Sequence, residues 1–213
     1  MRPVQVASST KVETGAVAAT IHLVRHGAHV EAGRVLTGRG SPLGLAPVGR
    51  EQAAWAARRL TDVVRVETSP QRRTMETAAV IAEHFGLGQP FVADALDELD
   101  FGDWTGQAIA DLADDPQWAR WNEQRAVGQT PGGERMADAV ARAVTHLAGL
   151  AQADWLGAIV CVSHADIIRG VVAHYLGLSL DRVLAFDVDP GSITSLVVGD
   201  WGGHLLALNV HAG

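Results

Sequence analysis

Two histidines stand directly after apolar runs that are typical of buried β-strands. His26 follows the run at residues 21–25, and His164 follows Ser163 after the run at residues 158–162. Ligands of open α/β sheets bind beyond the carboxyl ends of the strands, so the two imidazoles can meet in one crevice. A neutral imidazole is a good nucleophile near pH 7, because its unperturbed pKa is about 6.5.

Arginines occur near the same predicted edge. The run at residues 63–68 leads into Ser69 and Pro70, which can cap and open a helix whose first turn holds Arg72 and Arg73. A cation at a helix N-terminus opposes the helix dipole. The arrangement makes sense if an anion binds nearby, and a chain with a net charge of -7 needs such a local basic pocket for an anionic substrate.

A turn-rich loop at residues 96–106 carries several carboxylates. Any of Asp97, Glu98, Asp100 and Asp103 could be a solvated surface group or a general acid. The residue types alone leave that choice open.

Five motifs, in order, resemble the phosphoglycerate mutase-like branch of the histidine phosphatase superfamily. They are Arg25-His26-Gly27, Ser69-Pro70-x-x-Arg73, Leu96-x-Glu98 with Phe101-Gly102-x-Trp104-x-Gly106, Pro131-Gly132-Gly133-Glu134, and Val162-Ser163-His164. A single Arg-His-Gly occurs often by chance, but five elements in the right order are specific.

The resemblance implies that His26 is the nucleophile and that Glu98 is the acid. It also implies that Arg25, Arg73 and His164 surround the phosphoryl oxygens. The chemistry is consistent, since a phosphohistidine splits one hard displacement into two easier ones. Guanidinium groups can compensate the phosphoryl charge without Mg²⁺.

The loop after His26 departs from the family pattern. Ala28, His29 and Ala32 stand where most relatives carry an acidic residue, a Thr or Ser, and an Asn that touches the phosphate. We therefore take His29, Thr37 and Arg39 as candidates for substrate or phosphate contacts that replace the Asn.

The leading hypothesis is a metal-independent histidine acid phosphatase-type phosphomonoesterase that acts on a small phosphorylated metabolite. A cofactor-dependent mutase is one alternative, but little room exists between Glu98 and Pro131 for the segments that close over a bisphosphate. A non-catalytic phospholigand-binding protein is another, suggested by Ala28 and Ala32. His22 shares strand parity with His26, yet no third ligand follows, so we expect no metal and no cofactor.

The elements that position these residues alternate along the chain. Apolar runs at 21–25, 63–68, 158–162, 183–188 and 193–198 predict strands, and stripes at helical spacing lie between them. The alternation predicts an α/β three-layer sandwich: a mostly parallel sheet with helices on both faces. A turn at residues 189–192 between the last two runs predicts an antiparallel edge hairpin.

Composition limits the remaining possibilities. The 213 residues favour one domain at residues 21–213 after a loosely ordered extension at residues 1–20. The net negative charge opposes nucleic-acid and membrane-surface partners, and no stretch suits a signal peptide or a membrane span. One cysteine, Cys161, excludes an intrachain disulfide. We expect a soluble, cytoplasmic protein. The sequence does not indicate its oligomeric state or the alcohol part of its substrate. The residues that would recognise the alcohol part lie in the irregular segment at residues 106–133.

Overall fold

The computed structural model describes residues 17–212 and contains one six-stranded sheet. The strands are β1 (Ala18–Arg25), β2 (Val63–Thr68), β3 (Phe91–Val92), β4 (Ala158–Ser163), β5 (Ile193–Gly199) and β6 (Gly202–Val210). Their order is β3-β2-β4-β1-β5-β6. The pairs β3/β2, β2/β4 and β4/β1 are parallel, whereas β1/β5 and β5/β6 are antiparallel. The predicted mostly parallel sheet with an antiparallel edge hairpin is therefore confirmed.

Helices cover both faces of the sheet. They are α1 (Pro47–Arg59), α2 (Arg72–His84), α3 (Ile109–Leu112), α4 (Pro116–Glu123), α5 (Met136–Leu150) and α6 (Ala165–Leu176). The central strand β4 is buried along its whole length and sends alternate side chains to two cores. Val160 and Val162 pack with α1 and α2, whereas Ile159 and Cys161 pack with α5 and α6. This two-sided burial is why the run reads as continuously apolar.

The parallel register brings three strand ends to one edge. Arg25 at the end of β1 lies opposite Ser163 at the end of β4, and Thr68 at the end of β2 lies opposite Val162. The residues that follow these strands therefore meet, as the sequence predicts for His26 and His164.

Two predicted elements are wrong. Residues 183–188 form no strand: Leu180–Ala185 is a 3-10 helix, in which Val183 is buried and Leu184 is half exposed. The antiparallel edge hairpin is therefore formed by β5 and β6 rather than by residues 183–188 and β5. The turn at residues 189–192, which the sequence predicts to join the two strands of the hairpin, only precedes β5. Strand β6 begins with Gly202 and Gly203 and is half exposed. The sequence does not indicate it, because an edge strand needs no continuous apolar run.

Two boundaries also shift. Most of the predicted extension at residues 1–20 lies outside the described residues, but Ala18, Ala19 and Thr20 belong to β1, because they pair with the end of β5. Helix α2 begins at Arg72, so its N-cap residue is Gln71 rather than Ser69, and no side chain caps it. The Ser69 hydroxyl accepts from the amide of Gln71 at 3.3 Å, just before the helix. Among residues 17–212 no helix has the length and apolar character needed to cross a membrane.

Candidate active site

His26 is held at the end of β1 by backbone contacts. Its amide N–H donates to the carbonyl of Ser163 at 3.0 Å, and the next amide, that of Gly27, donates to Thr77 Oγ1 at 3.1 Å. The chain here touches the start of α1, because a Cβ on Gly27 would lie 2.2 Å from the Gly49 carbonyl oxygen. The glycines let the two backbones meet, which fixes the origin of the His26 side chain.

The hydrogen bonds of His26 determine which ring nitrogen is free to react. Nδ1 lies 2.8 Å from the Gly27 carbonyl oxygen, which can only accept, so Nδ1 carries the proton. Nε2 accepts from Arg73 Nε at 3.3 Å. The lone pair of Nε2 therefore points toward the guanidinium of Arg73, which is where a bound phosphoryl group would need its nucleophile.

Arg73 is the centre of the site. It is 1% exposed, and its Nη2 donates both to the Gly38 carbonyl at 2.8 Å and to His164 Nδ1 at 3.1 Å. Its Nη1 is buried and has no hydrogen-bond partner within residues 17–212. A buried guanidinium with an unused N–H is costly unless an anion completes its shell.

His164 is oriented by a chain of hydrogen bonds. Because Nδ1 accepts from Arg73, the proton lies on Nε2, which donates to Ser69 Oγ at 2.8 Å. The Ser69 hydroxyl in turn donates to Asp97 Oδ1 at 3.2 Å. Ser69, predicted as a helix cap, thus orients the imidazole of His164 in addition to accepting from the Gln71 amide.

Glu98 lies beside the two histidines. Its Oε2 is 3.7 Å from His164 Nδ1, and its Oε1 accepts from the Leu99 amide at 2.9 Å. Burial and, to a smaller extent, the Asp166 carboxylate raise the pKa of Glu98 to about 7, against the opposing effect of the Arg73 guanidinium. The carboxyl group is therefore protonated in a large fraction of molecules near neutral pH, as a general acid must be.

A second network supports the backbone of Glu98. Arg142 donates to its carbonyl at 3.0 Å and Arg39 Nε at 2.7 Å. Both arginines also bind Glu134 Oε1, at 2.9 and 2.7 Å. Glu134 of the Pro-Gly-Gly-Glu motif thus anchors the loop that carries Glu98, and Arg39 contacts this loop rather than lining the cavity.

The imidazoles of the site are neutral. Burial, followed by the charge of Arg73, lowers the pKa of His26 and of His164 well below the usual value. Burial and the same arginine lower the pKa of His29 to about 4. A neutral His26 is the form that can attack phosphorus.

A cavity of about 220 Å³ opens over these groups. Its lining includes Arg25, which the resemblance assigns to phosphate binding, and the candidate contact residues His29 and Thr37. Arg25 Nη1 donates to the Val188 carbonyl at 2.6 Å, and its buried Nε has no partner in the part of the chain that the structure describes. The centroid of the His29 ring lies 5.5 Å from that of His26, and His29 Nδ1 is likewise unpartnered there.

The lining of the cavity also contains residues that the sequence pattern does not single out as site residues. Arg125 follows α4, and Asp166 and Arg169 lie in α6. Asp166 could have been found, because it is a titratable residue two positions after a histidine at a strand end. Trp118, which the sequence left open between core and pocket, lines the cavity and also packs on Trp121.

No cluster of three or more His, Cys, Asp or Glu side chains suited to a metal ion occurs in residues 17–212. His22 Nδ1 is 2.8 Å from Ser195 Oγ and takes no part in the site.

A neutral imidazole whose unprotonated nitrogen meets a buried guanidinium, at the carboxyl edge of an α/β sheet, suits an enzyme that processes phosphate groups. The particular class follows from comparison with known families. Residues 21–211 match the model of the histidine phosphatase superfamily (branch 1), and the chain belongs to this family. The fold and the resemblance predicted from sequence are confirmed, as is phosphomonoester hydrolysis of small phosphorylated metabolites as its activity class.

Known relatives are similar over most of their lengths. Phosphoserine phosphatase 1 of Hydrogenobacter thermophilus is 28% identical over 76% of this chain and 78% of its own. An uncharacterised protein of Mycobacterium tuberculosis is 33% identical over 68% and 72%. The solved structure of a mycobacterial glucosyl-3-phosphoglycerate phosphatase superposes with a TM-score of 0.79 at 27% identity, covering 91% of this chain and 99% of that one.

Proposed function

We propose that this phosphatase hydrolyses its phosphomonoester without a metal ion, through a covalent phosphohistidine on His26 Nε2. The observation that carries the proposal is the position of Arg73, which donates to the nucleophilic nitrogen of His26 and to His164 at once. A phosphoryl group that takes this N–H of Arg73 for one of its oxygens would release the lone pair of His26 Nε2 for attack on phosphorus.

In the first step His26 Nε2 forms a bond to phosphorus while the bond from phosphorus to the ester oxygen breaks. The leaving oxygen takes the proton of Glu98, whose raised pKa keeps that proton available near pH 7. Arg25, Arg73 and His164 surround the three equatorial oxygens. The unpartnered Arg25 Nε and Arg73 Nη1 are N–H groups that these oxygens can satisfy.

In the second step the Glu98 carboxylate accepts a proton from water, and the water oxygen attacks phosphorus. The bond from phosphorus to Nε2 breaks, which restores neutral His26 and releases inorganic phosphate. The same residue thus acts as acid and then as base, which is the reason for a pKa close to the working pH.

A substrate of metabolite size fits the dimensions. The cavity of about 220 Å³ is below the range of roughly 300–1,000 Å³ that drug-sized ligands occupy. Relatives named for phosphoserine and for glucosyl-3-phosphoglycerate support a small phosphorylated metabolite as the class. A cytoplasmic location and the absence of nucleic-acid partners stay predictions from composition.

The test is phosphate release from an aryl phosphate in the presence of EDTA. The wild-type protein should be fully active, and His26→Ala should lose at least roughly a thousandfold in kcat. His204→Ala, which removes an exposed imidazole on β6, is the matched control and should keep its activity. Equal activity of the His26→Ala and His204→Ala variants would disprove the covalent route.

The same samples separate the two alternatives. Acid quenching during turnover should trap an acid-labile, alkali-stable phosphoenzyme on the wild type and none on His26→Ala. A mutase would instead need a bisphosphate primer and accumulate isomerised ester. A non-catalytic binding protein would bind phosphorylated ligand and form no phosphoenzyme.

A further inference from the structure

The lining of the cavity includes two arginines that share one carboxylate. Arg125 Nη1 lies 3.1 Å from Asp166 Oδ1, and Arg169 Nη1 lies 3.5 Å from the same oxygen. One carboxylate cannot neutralise two guanidinium groups. This part of the lining therefore carries a surplus positive charge.

Arg125 is built into this wall rather than lying on the surface. It is 4% exposed, its guanidinium stacks 4.0 Å from the Trp121 ring, and its Nη2 donates to Asn122 at 2.7 Å. Its Nε is buried and has no hydrogen-bond partner among the described residues. Such a group is expensive to bury, so its presence in a cavity wall indicates a ligand with negative charge.

Arg169 offers the accessible donors. Its Nε donates to the Phe186 carbonyl at 3.2 Å, which fixes the side chain. Its terminal nitrogens make only long contacts, 3.5 Å to Asp166 and 3.9 Å to Asp187, whose side chain is 83% exposed. The fork of Arg169 is thus oriented but not saturated, as bidentate recognition of an anion requires.

The charges beside Arg125 and Arg169 give the number of negative charges that a ligand should bring to this part of the cavity. The two guanidinium groups carry two positive charges, and Asp166 between them carries one negative charge. The carboxylate of Asp187 is 3.9 Å from Arg169 and 83% exposed, so solvent screens its charge. One positive charge is therefore left for one negative charge on the alcohol part of the ligand.

We propose that Arg125 and Arg169 form a subsite for a carboxylate carried by the alcohol part of the phosphomonoester, which makes them specificity-determining residues. The inference rests on the proposed function, since it assigns the substrate class of the same cavity. A carboxylate rather than a second phosphate is favoured because one charge is left uncompensated and because Asp166 already occupies part of the surplus.

The experiment compares substrates that differ only in the carboxylate. O-phosphoserine and O-phosphoethanolamine form one such pair, and 3-phosphoglycerate and glycerol 1-phosphate form a second pair, in which a hydroxymethyl group replaces the carboxylate. The wild-type kcat/KM should favour the carboxylate-bearing member of at least one pair by roughly ten- to a hundredfold, the range expected for a charge-assisted contact. Most of the preference should appear in KM.

Arg169→Met should remove that preference by lowering kcat/KM at least tenfold for the carboxylate-bearing substrate and much less for its partner. Arg125→Lys keeps a cation but loses the fork, and should reduce the preference in the same sense. Arg120→Met, an exposed arginine on α4 outside the cavity, is the matched control and should keep it. Thermal unfolding of each variant separates misfolding from lost recognition.

The outcomes distinguish the two proposals. Absence of hydrolysis of every phosphomonoester by the wild type would overturn the proposed function. Hydrolysis with equal kcat/KM within both pairs would leave that function standing and overturn the subsite. A wild-type preference that survives in folded Arg169→Met would overturn it too, as would equal losses for both members of a pair.

Discussion

The cavity is lined by two sets of residues that are built in different ways, and we call these sets its phosphoryl end and its alcohol end. The phosphoryl end consists of Arg25, His26, Arg73 and His164, which follow or flank the parallel strands β1, β2 and β4 and are tied by hydrogen bonds to backbone and to one another. The alcohol end consists of Trp118, Arg125 and Arg169, of which two come from the segment around α4, where no strand supports them.

The difference separates chemistry from specificity. Parallel strand ends hold reactive groups in fixed relative positions, as in-line transfer requires. An irregular segment can exchange residues without disturbing that geometry. Changes at the phosphoryl end should therefore reduce turnover of every phosphomonoester, whereas changes at the alcohol end should alter which ester is turned over.

The largest expected effect tests the phosphoryl end with two adjacent arginines. Arg73→Met should lower kcat/KM roughly a thousandfold for all substrates, because it removes the group that binds both histidines and the phosphoryl oxygens. Arg72→Met should change it less than roughly twofold, since Arg72 is exposed and its ion pair among residues 17–212, with Glu76, is a surface contact. Steady-state kinetics on the carboxylate-bearing and carboxylate-free esters measures both, and a loss confined to one class would contradict the comparison.

The next effect concerns the proton donor. Glu98→Gln should lower kcat by roughly a hundredfold on an alkyl phosphate and by less on an aryl phosphate, whose leaving group needs less protonation. Because the pKa of Glu98 is raised to about 7, the wild-type rate should fall as pH rises through that value, and the variant should lose this limb.

The matched control is Asp103→Asn, an exposed carboxylate in the same loop. This variant should keep both the wild-type kcat and the fall in rate as the pH rises through about 7. Equal losses on alkyl and aryl esters in Glu98→Gln would argue that Glu98 orients the site without transferring a proton.

A smaller effect is expected from the hydroxyl that orients His164. Ser69→Ala should lower kcat/KM about tenfold, because His164 Nε2 loses the acceptor that fixes its tautomer. Ser69→Thr should restore much of it. Ser192→Ala removes another buried serine hydroxyl, one without a hydrogen-bond partner in the described structure, and should cost little. Similar losses in both alanine variants would indicate packing alone.

The sequence predicts the phosphoryl end better than the alcohol end for a physical reason. His26 and His164 are marked by the apolar strands they follow, and Arg73 by its place in a helix first turn, so local pattern suffices. No pattern in the neighbouring sequence identifies Arg125 as a site residue. Its burial depends on Trp121 and on Asp166, which is 41 positions away. The role of the Ser69 hydroxyl likewise depends on its hydrogen bond with His164, which lies 95 residues further along the chain.

The fold shows the same division. The continuous apolar runs of β1, β2 and β4 predict parallel strands because both faces are covered. The run at residues 183–188 has similar composition, yet it lies beside α6 and buries only Val183 and Val188, so no neighbouring strand pairs with it. Apolar content predicts burial there, but it does not predict which element is formed.

The smallest expected effect tests whether the two ends are independent. Asp166 lies at the alcohol end, yet its charge raises the pKa of Glu98 at the phosphoryl end. Asp166→Asn removes that charge and leaves Arg125 and Arg169 uncompensated, and both changes stabilise ionised Glu98. The limb of the rate profile near pH 7 should then move to lower pH, by roughly half a unit, while kcat at pH 6 falls only a few-fold. Asp187→Asn, an exposed carboxylate 3.9 Å from Arg169, should leave the limb in place. If Asp166→Asn also leaves it in place, the alcohol end acts on substrate choice alone; if it moves, one residue couples recognition of the alcohol part to the timing of proton transfer.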